Sequence, residues 1–444
     1  MKKTSPVLIL YLAAMLLIMN IMPLAGAVKP LIVTAAILLP LVCAALLAHI
    51  LPGSTSDPES KRLRRLKKGA DLVWLGGWAA AAETVILIIF FIVSDAGAAV
   101  KILSVVIPVL TAALILFTGV IRITAGAKQI KLRDHVLLLC LWWCPVVNIF
   151  IIRKFYKTAR REYVFESDKE ELDNIRAESQ ICKTKYPILL VHGIFFRDWQ
   201  LVNYWGRIPA ALIRNGAKVY YGGQQSAMHV CDSAAELKKT IEKIIAETGA
   251  EKVNIIAHSK GGLDSRYAIS CLGMDRYVAT LTTINTPHKG CDMVDYLLDR
   301  TSEGFQSFLH RKYGSIFTRL GDTTPDFLAG VHDLSAERAK SYDEEMPDSP
   351  AVSYRSVMSI MSSAGSAGLP LNIGYLLIKK LNGANDGLVW EDSAVHGSHR
   401  LITTKKKRGL SHGDIIDLMR ENIEGFDVRE FYVSMVSELR DQGF

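Results

Sequence analysis

Cysteine is scarce and unpatterned in this chain of 444 residues. The seven, Cys43, Cys140, Cys144, Cys182, Cys231, Cys271 and Cys291, are an odd number without the spacing of a disulfide framework. Cys140-x-x-x-Cys144 lies in an apolar run with no histidine pair beside it, which speaks against zinc. Buried free thiols are the expectation. The C-terminal part has no excess of either charge: residues 181–444 hold 31 Lys plus Arg against 31 Asp plus Glu. It therefore offers no basic face for a nucleic acid. The whole excess of +8 lies in residues 1–180, with 21 basic side chains against 13 acidic ones. Those charges fall in short clusters between long apolar runs, a pattern of membrane topology rather than of nucleic-acid binding. The runs lack paired polar interruptions, which argues against a transporter. Repeats and low-complexity tracts are also missing.

What is present begins with four apolar runs of about twenty residues, at 6–27, 31–51, 72–93 and 102–121. Each is long enough, at about 1.5 Å per residue, to cross about 30 Å of hydrocarbon. Lys2 and Lys3 with Ala25-Gly26-Ala27 would also suit a cleaved signal peptide. A second run follows at once, however, and a retained span is expected. Basic residues at 61–68 and at 122–133 put those loops and the N-terminus in the cytoplasm. A fifth run, 136–152, is short and interrupted by Trp142-Trp143-Cys144-Pro145 and Asn148, with Arg153, Lys154, Lys157, Arg160 and Arg161 behind it. If it crosses, the C-terminal part faces outward. If it re-enters or lies at the interface, that part is cytoplasmic, as the positive charges favour. Glu83, in mid-span, reads either as a relay or lipid-head contact or as an acid buried against another span. The expected organisation is a membrane region of four to five helices at 1–152, a linker helix at 153–180 and a catalytic domain at 181–444.

The third part alternates strand and helix patterns. Strands are expected at 188–191, 218–221 and 253–257. Helices are expected at 203–215, closed by Gly216, and from Asp232 or Ser233 to Glu247, closed by Gly249. That alternation predicts an α/β fold, a mostly parallel sheet with helices on both faces.

Residues 251–267 read E-K-V-N-I-I-A-H-S-K-G-G-L-D-S-R-Y. This is a strand, a sharp turn at Ser259 and a helix, with Gly261 and Gly262 where two backbones approach closely. A serine on such a turn exposes its hydroxyl to a base. Other segments accompany it: Y-P-I-L-L-V-H-G at 186–193, T-T-I-N-T-P-H-K-G at 282–290, N-D-G-L-V at 385–389 and S-H-G-D at 411–414. In these places the chain resembles bacterial triacylglycerol lipases of the α/β-hydrolase fold, from bacilli and pseudomonads. Ala257 stands where many such enzymes have glycine, as it does in bacillus-type lipases.

The resemblance implies Ser259 as nucleophile, with acid and histidine downstream in that order. Asp386 is the expected acid, Asp392 the fallback, and His412 the expected base, ahead of an amphipathic helix starting at Ile415. His396 and His399 are expected as exposed loop residues, and His192 and His258 in packing. The N–H groups of Ile194 and Lys260 would hold the oxyanion. Residues 292–370 are the expected lid insertion. Pseudomonad relatives carry calcium, and Asp414 fits one ligand position. No second carboxylate stands where the other should, and Leu418 replaces an amide, so neither metal nor cofactor is expected.

The function these residues imply is a multi-pass, membrane-anchored serine hydrolase acting on lipid esters, with no nucleic-acid partner. The alternatives are a lipid acyltransferase using the same triad and a non-catalytic membrane sensor with a hydrolase domain.

Overall fold

The computed structural model describes residues 6–21, 23, 58–194, 204–225, 227–291, 294–295, 326–404, 406 and 408–444. It divides into two compact units, Met1–Leu172 and Asp173–Phe444. The expected span at 31–51 and residues 292–293 and 296–325 of the expected lid lie outside the described residues.

The described part of the first unit is helical: α1 (Pro6–Met19), α2 (Pro58–Val93), α3 (Ala98–Gly126), α4 (Leu132–Cys140) and α5 (Pro145–Arg176), which runs on into the second unit. Residues 60–93 and 98–126 are long and apolar enough to cross a membrane by length and composition. Glycine lets α2 and α3 meet closely. A Cβ on Gly69 would stand 3.0 Å from the Gly119 carbonyl oxygen, and one on Gly119 3.0 Å from that of Gly69. Ile88, Ile92, Leu110, Leu114 and Phe117 are exposed large apolar side chains on these two helices. Glu83 is buried and accepts a hydrogen bond of 2.7 Å from Asn20, just past α1. That contact matches the reading of an acid facing another helix, while Thr84 turns back to the Ala80 carbonyl.

The run 136–152 does not form one helix. Proline has no N–H and its ring clashes with a preceding helical turn, so Pro145 opens α5 rather than continuing α4. Asn148 closes the corner by donating to the carbonyls of Leu141 and Trp142, at 3.2 and 2.6 Å. Behind it, Glu162 accepts from Arg62 at 2.5 Å and from the N–H groups of Lys128 and Gln129.

The second unit holds a six-stranded sheet, parallel throughout, in the order β2-β1-β3-β4-β5-β6. The strands are β1 (Ile188–Val191), β2 (Val219–Tyr221), β3 (Val253–His258), β4 (Val278–Ile284), β5 (Ser353–Ser359) and β6 (Ser398–Ile402). Side chains alternate faces along a strand, and both faces of this sheet are covered. Ile188 and Leu190 join one core with α6 (Ile208–Arg214) and α12 (Val428–Asp441). Leu189 and Val191 join the other with α7 (Val230–Thr248) and α8 (Lys260–Cys271). Gly249 ends α7 in the left-handed region at φ 66°, which glycine adopts without strain.

Three expectations need correction. The segment 292–370 is not all insertion, because its residues 353–359 are β5. Before that strand it carries α9 (Phe327–His332) and α10 (Ala336–Glu345). No long helix starts at Ile415; a single turn, Asp414–Ile416, ends at Asp417 in the left-handed region, and the helix begins at Val428. Arg207 fixes that bend by gripping both Asp417 carboxylate oxygens, at 2.7 and 2.8 Å. Of the cysteines expected to be buried, Cys182 and Cys291 are, whereas Cys140, Cys231 and Cys271 are exposed.

Candidate active site

Ser259 follows β3 directly at φ 54° and ψ −130°, a conformation that residues with a Cβ rarely adopt. Two hydrogen bonds over-determine it. The Ser259 N–H donates to the Ile284 carbonyl at 2.9 Å, and its own carbonyl accepts the Gly262 N–H at 3.0 Å. The neighbouring glycines are required by space. A Cβ on Gly261 would collide with the His192 carbonyl, one on Gly262 with Thr286, and one on Gly193 would stand 2.8 Å from the Ser259 Cβ. The methyl of Ala257 points away, into the core under α7 and α8.

The structure brings His412 and Asp386 together: Nδ1 lies 2.6 Å from Asp386 Oδ2, and the His412 N–H donates to the Asp386 carbonyl at 2.9 Å. Asp386 is fully buried, and its two oxygens face donors only. Oδ1 accepts the N–H groups of Leu388 and Val389, both at 2.8 Å, and Oδ2 accepts Asn285 Nδ2 at 2.6 Å. A carboxylate so surrounded accepts, so the His412 proton sits on Nδ1 and the lone pair on Nε2. Gly387 makes the turn possible: its φ is 100°, and a side chain there would stand 2.8 Å from the carbonyl of Leu371, the first residue of α11 (Leu371–Leu381).

His412 lies beside the serine through His258, the residue before it. The two rings lie tilted at 53° with centroids 4.5 Å apart, and His258 Nε2 is 3.1 Å from the His412 carbonyl. A carbonyl only accepts, so His258 carries its proton on Nε2 and accepts the Tyr204 hydroxyl at Nδ1, at 2.6 Å. The Tyr204 oxygen in turn accepts the Gly193 N–H at 3.1 Å. One directional chain thus links the loop before Ile194, the nucleophile strand and the histidine loop. Burial, with His412 adjacent, pushes the His258 imidazole well below its ordinary range and keeps it neutral. Among the described residues no hydrogen bond joins Ser259 to His412.

The Lys260 N–H opens α8 and so has no partner within the helix, and Ile194 follows Gly193. The Lys260 side chain turns inward to Asp264 Oδ1 at 2.7 Å and Ser233 Oγ at 3.0 Å.

The other expected residues fall elsewhere. Asp392 is exposed, on a short turn of helix. His396 and His399 are not exposed loop residues as expected. His396 stacks on His288 at 4.6 Å and reaches Asp348 at 3.1 Å, and His399 belongs to β6 and bonds Ser356 at 2.8 Å. His192 is buried between the carbonyls of Gly193 and Gln224. The Asp414 carboxylate does not offer itself to a metal. Arg408 holds one oxygen at 2.8 Å, and Ser411 donates to the other from N–H and hydroxyl, at 3.0 and 2.7 Å.

Sequence reasoning missed Asn285 and Tyr204. Asn285 leaves β4 at φ 48°, accepts the Ser359 N–H at 2.9 Å and supports Asp386. The only local signal for it is a polar residue between β4 and the Thr286-Pro287 turn.

Residues 185–288 match the lipase (class 2) family. A triacylglycerol lipase of Burkholderia plantarii is 33% identical over 184 residues, covering 38% of this chain and 51% of that protein. One from Pseudarthrobacter phenanthrenivorans is 33% identical over 177 residues, covering 37% and 54%. The crystal structure of Staphylococcus hyicus lipase aligns at a TM-score of 0.49 with 17% identity, covering 58% of this chain and 96% of that one. This chain spans about half the length of those two curated relatives, and the likeness is to bacterial lipases, in the segments that hold Ser259 and the loop before Ile194.

Proposed function

We propose that this protein is a membrane-anchored serine hydrolase that cleaves carboxylic esters of lipids through an acyl-enzyme. The carrying observation is the buried pairing of Asp386 with His412 Nδ1, which leaves Nε2 as a proton acceptor on a ring packed against His258, next to Ser259. In this reading Ser259 Oγ attacks the ester carbonyl carbon while His412 Nε2 takes its proton. Asp386 holds the tautomer and stabilises the imidazolium that forms. The N–H groups of Ile194 and Lys260 receive the oxyanion. Collapse expels the alcohol, which takes the proton from His412, and water then repeats the sequence on the acyl-serine. An apo site needs no formed serine–histidine hydrogen bond, since such contacts tighten with substrate.

The lipid substrate class is supported by the likeness to triacylglycerol lipases and by the apolar helices α2 and α3. Those helices, with α1, would anchor the chain, and the basic cluster after Pro145 favours a cytoplasmic catalytic unit. A fluorophosphonate probe tests the chemistry: it labels the wild type and not Ser259→Ala, and equal labelling of both would refute the assignment. Alkaline carbonate washing tests the anchor, since an integral protein stays in the membrane fraction. A reporter fused to the C-terminus reads the side in intact cells.

A further inference from the structure

The ends of the strands that carry Ser259 and Asn285 belong to the ester site. Toward their other ends lies a cavity of about 280 Å³ between the sheet and α12, which that chemistry does not use. Its sheet wall is a lateral row: Thr282 on β4, Arg355 beside it on β5 and Ser398 beside that on β6. Glu438 and Gln442 face the row from α12. Two residues along β4 and β5 the same face is apolar, with Ile284 paired to Val357 in the core. The polar row therefore interrupts a buried face, and Thr282 is only 1% exposed.

Two needs in this cavity are unmet. The Thr282 hydroxyl is buried without a hydrogen-bond partner. The Arg355 guanidinium bonds only neutral groups among its described contacts, the Gln442 amide oxygen and the Phe444 ring at 5.9 Å, while Glu438 attracts it and Arg400 repels it from across the cavity. The one carboxylate on this wall, Glu438, is taken in both oxygens by Arg400, at 2.9 and 3.1 Å. Two guanidinium groups, Arg355 and Arg400, share this one carboxylate, and beside them stands a buried hydroxyl without an acceptor; both call for the same thing, a group of anionic oxygens. We propose that the cavity binds a small oxyanion, a carboxylate or phosphate group, whose oxygens accept from Arg355, Thr282 and Ser398 together. Met435 on the helix wall leaves room for a short aliphatic chain on the carboxylate.

The test is titration calorimetry on the full chain in detergent micelles, in the Ser259→Ala background, with sodium butyrate and inorganic phosphate in separate arms at constant ionic strength. Saturable binding at one site is expected for at least one anion. It should weaken at least about tenfold in Arg355→Gln and in Thr282→Val, and less in Arg355→Lys, which keeps the charge without the fork. Butyrate alone identifies the carboxylate source, phosphate alone the phosphate source. Absence of saturable heat with either anion, or equal affinity in wild type and Arg355→Gln, overturns the proposal. Because binding is read and not turnover, a chain without ester hydrolysis would leave the result standing. In the Ser259 parent, Arg355→Gln is expected to keep the wild-type rate on p-nitrophenyl butyrate.

Discussion

Two buried carboxylates stand near Ser259, each against a basic side chain: Asp386 at 2.6 Å from His412 and Asp264 at 2.7 Å from Lys260. The pairs differ in what the base has left over. His412 keeps a second ring nitrogen that Asp386 does not touch, and three further N–H donors steady the acid. Lys260 spends its ammonium on Asp264 and Ser233, and both members of that pair are almost wholly buried. In the proposed reaction the first pair moves a proton, whereas the other is a sealed contact that holds the start of α8, and with it the Lys260 N–H. Proximity of acid and base to a nucleophile does not distinguish chemistry from architecture. The open valence does.

Breaking the two acids separately exposes that contrast. Asp386→Asn should lower kcat for a p-nitrophenyl ester by about 10⁴-fold, because an amide can stabilise the wrong histidine tautomer, while the melting temperature changes little. Asp264→Asn should do the reverse, lowering stability, most of all at acid pH, with kcat of the folded fraction within about tenfold of wild type. Chemical denaturation and initial rates on both variants decide it. A stable Asp264→Asn without activity would move the catalytic acid to the wrong pair.

The same pair makes a pH signature. Burial outweighs the attraction of Lys260 and holds the Asp264 carboxyl up at about 6, above its ordinary 3.8. The native state therefore binds this proton more tightly than the unfolded chain does. The contribution is fully present below pH 3.8 and is lost as pH rises through 6. The stability difference between wild type and Asp264→Asn should thus shrink steadily as pH rises across that window. Urea midpoints at half-unit steps give the curve, and a difference independent of pH would show that Asp264 is ionised throughout.

Asn285 offers a smaller break on the catalytic side. Asn285→Ala removes a donor to Asp386 and the partners of the Ser359 N–H and hydroxyl. About 1–3 kcal/mol of stability should go with each group left buried and unpaired. Activity should fall by about 10- to 100-fold as the acid loses one of its four donors, with KM nearly unchanged. A larger rise in KM than fall in kcat would place Asn285 at the substrate instead.

Local chemistry made Ser259 legible, since the positive φ and the collisions at Gly261 and Gly262 leave a strong composition mark. The same holds for β1, whose four apolar residues are buried on both faces. Asp386 and His412 came from motif resemblance, as nothing local pairs residues 26 apart. Tyr204 and Asn285 left no mark because their partners are 54 and 101 residues away. Strand β5 was hidden for another reason. Its sequence S-Y-R-S-V-M-S reads as a polar segment, yet Ser356 and Ser359 are buried because His399 and Asn285 satisfy their hydroxyls. Periodicity detects burial of apolar groups and is blind to burial of polar groups whose partners lie on other strands.

The smallest expected effect concerns a third acid, Asp414, two residues past His412. Burial raises its carboxyl above the ordinary range, yet Arg408 supplies a fixed cation at 2.8 Å and is itself held by Glu421 at 2.7 Å and the Ser366 carbonyl at 3.1 Å. A guanidinium thus does at this loop what a divalent ion would do, tying Asp414 and Ser411 on either side of the histidine. Chelation with EDTA should accordingly leave kcat unchanged and move the melting temperature by less than about 1 °C. Arg408→Ala should cost only about 1 kcal/mol, since that side chain is a third exposed and water screens the pair. A marked loss of activity on chelation, reversed by calcium, would show that Arg408 yields its place to a metal and that the comparison with Lys260, a cation that cannot be exchanged, does not extend to this loop.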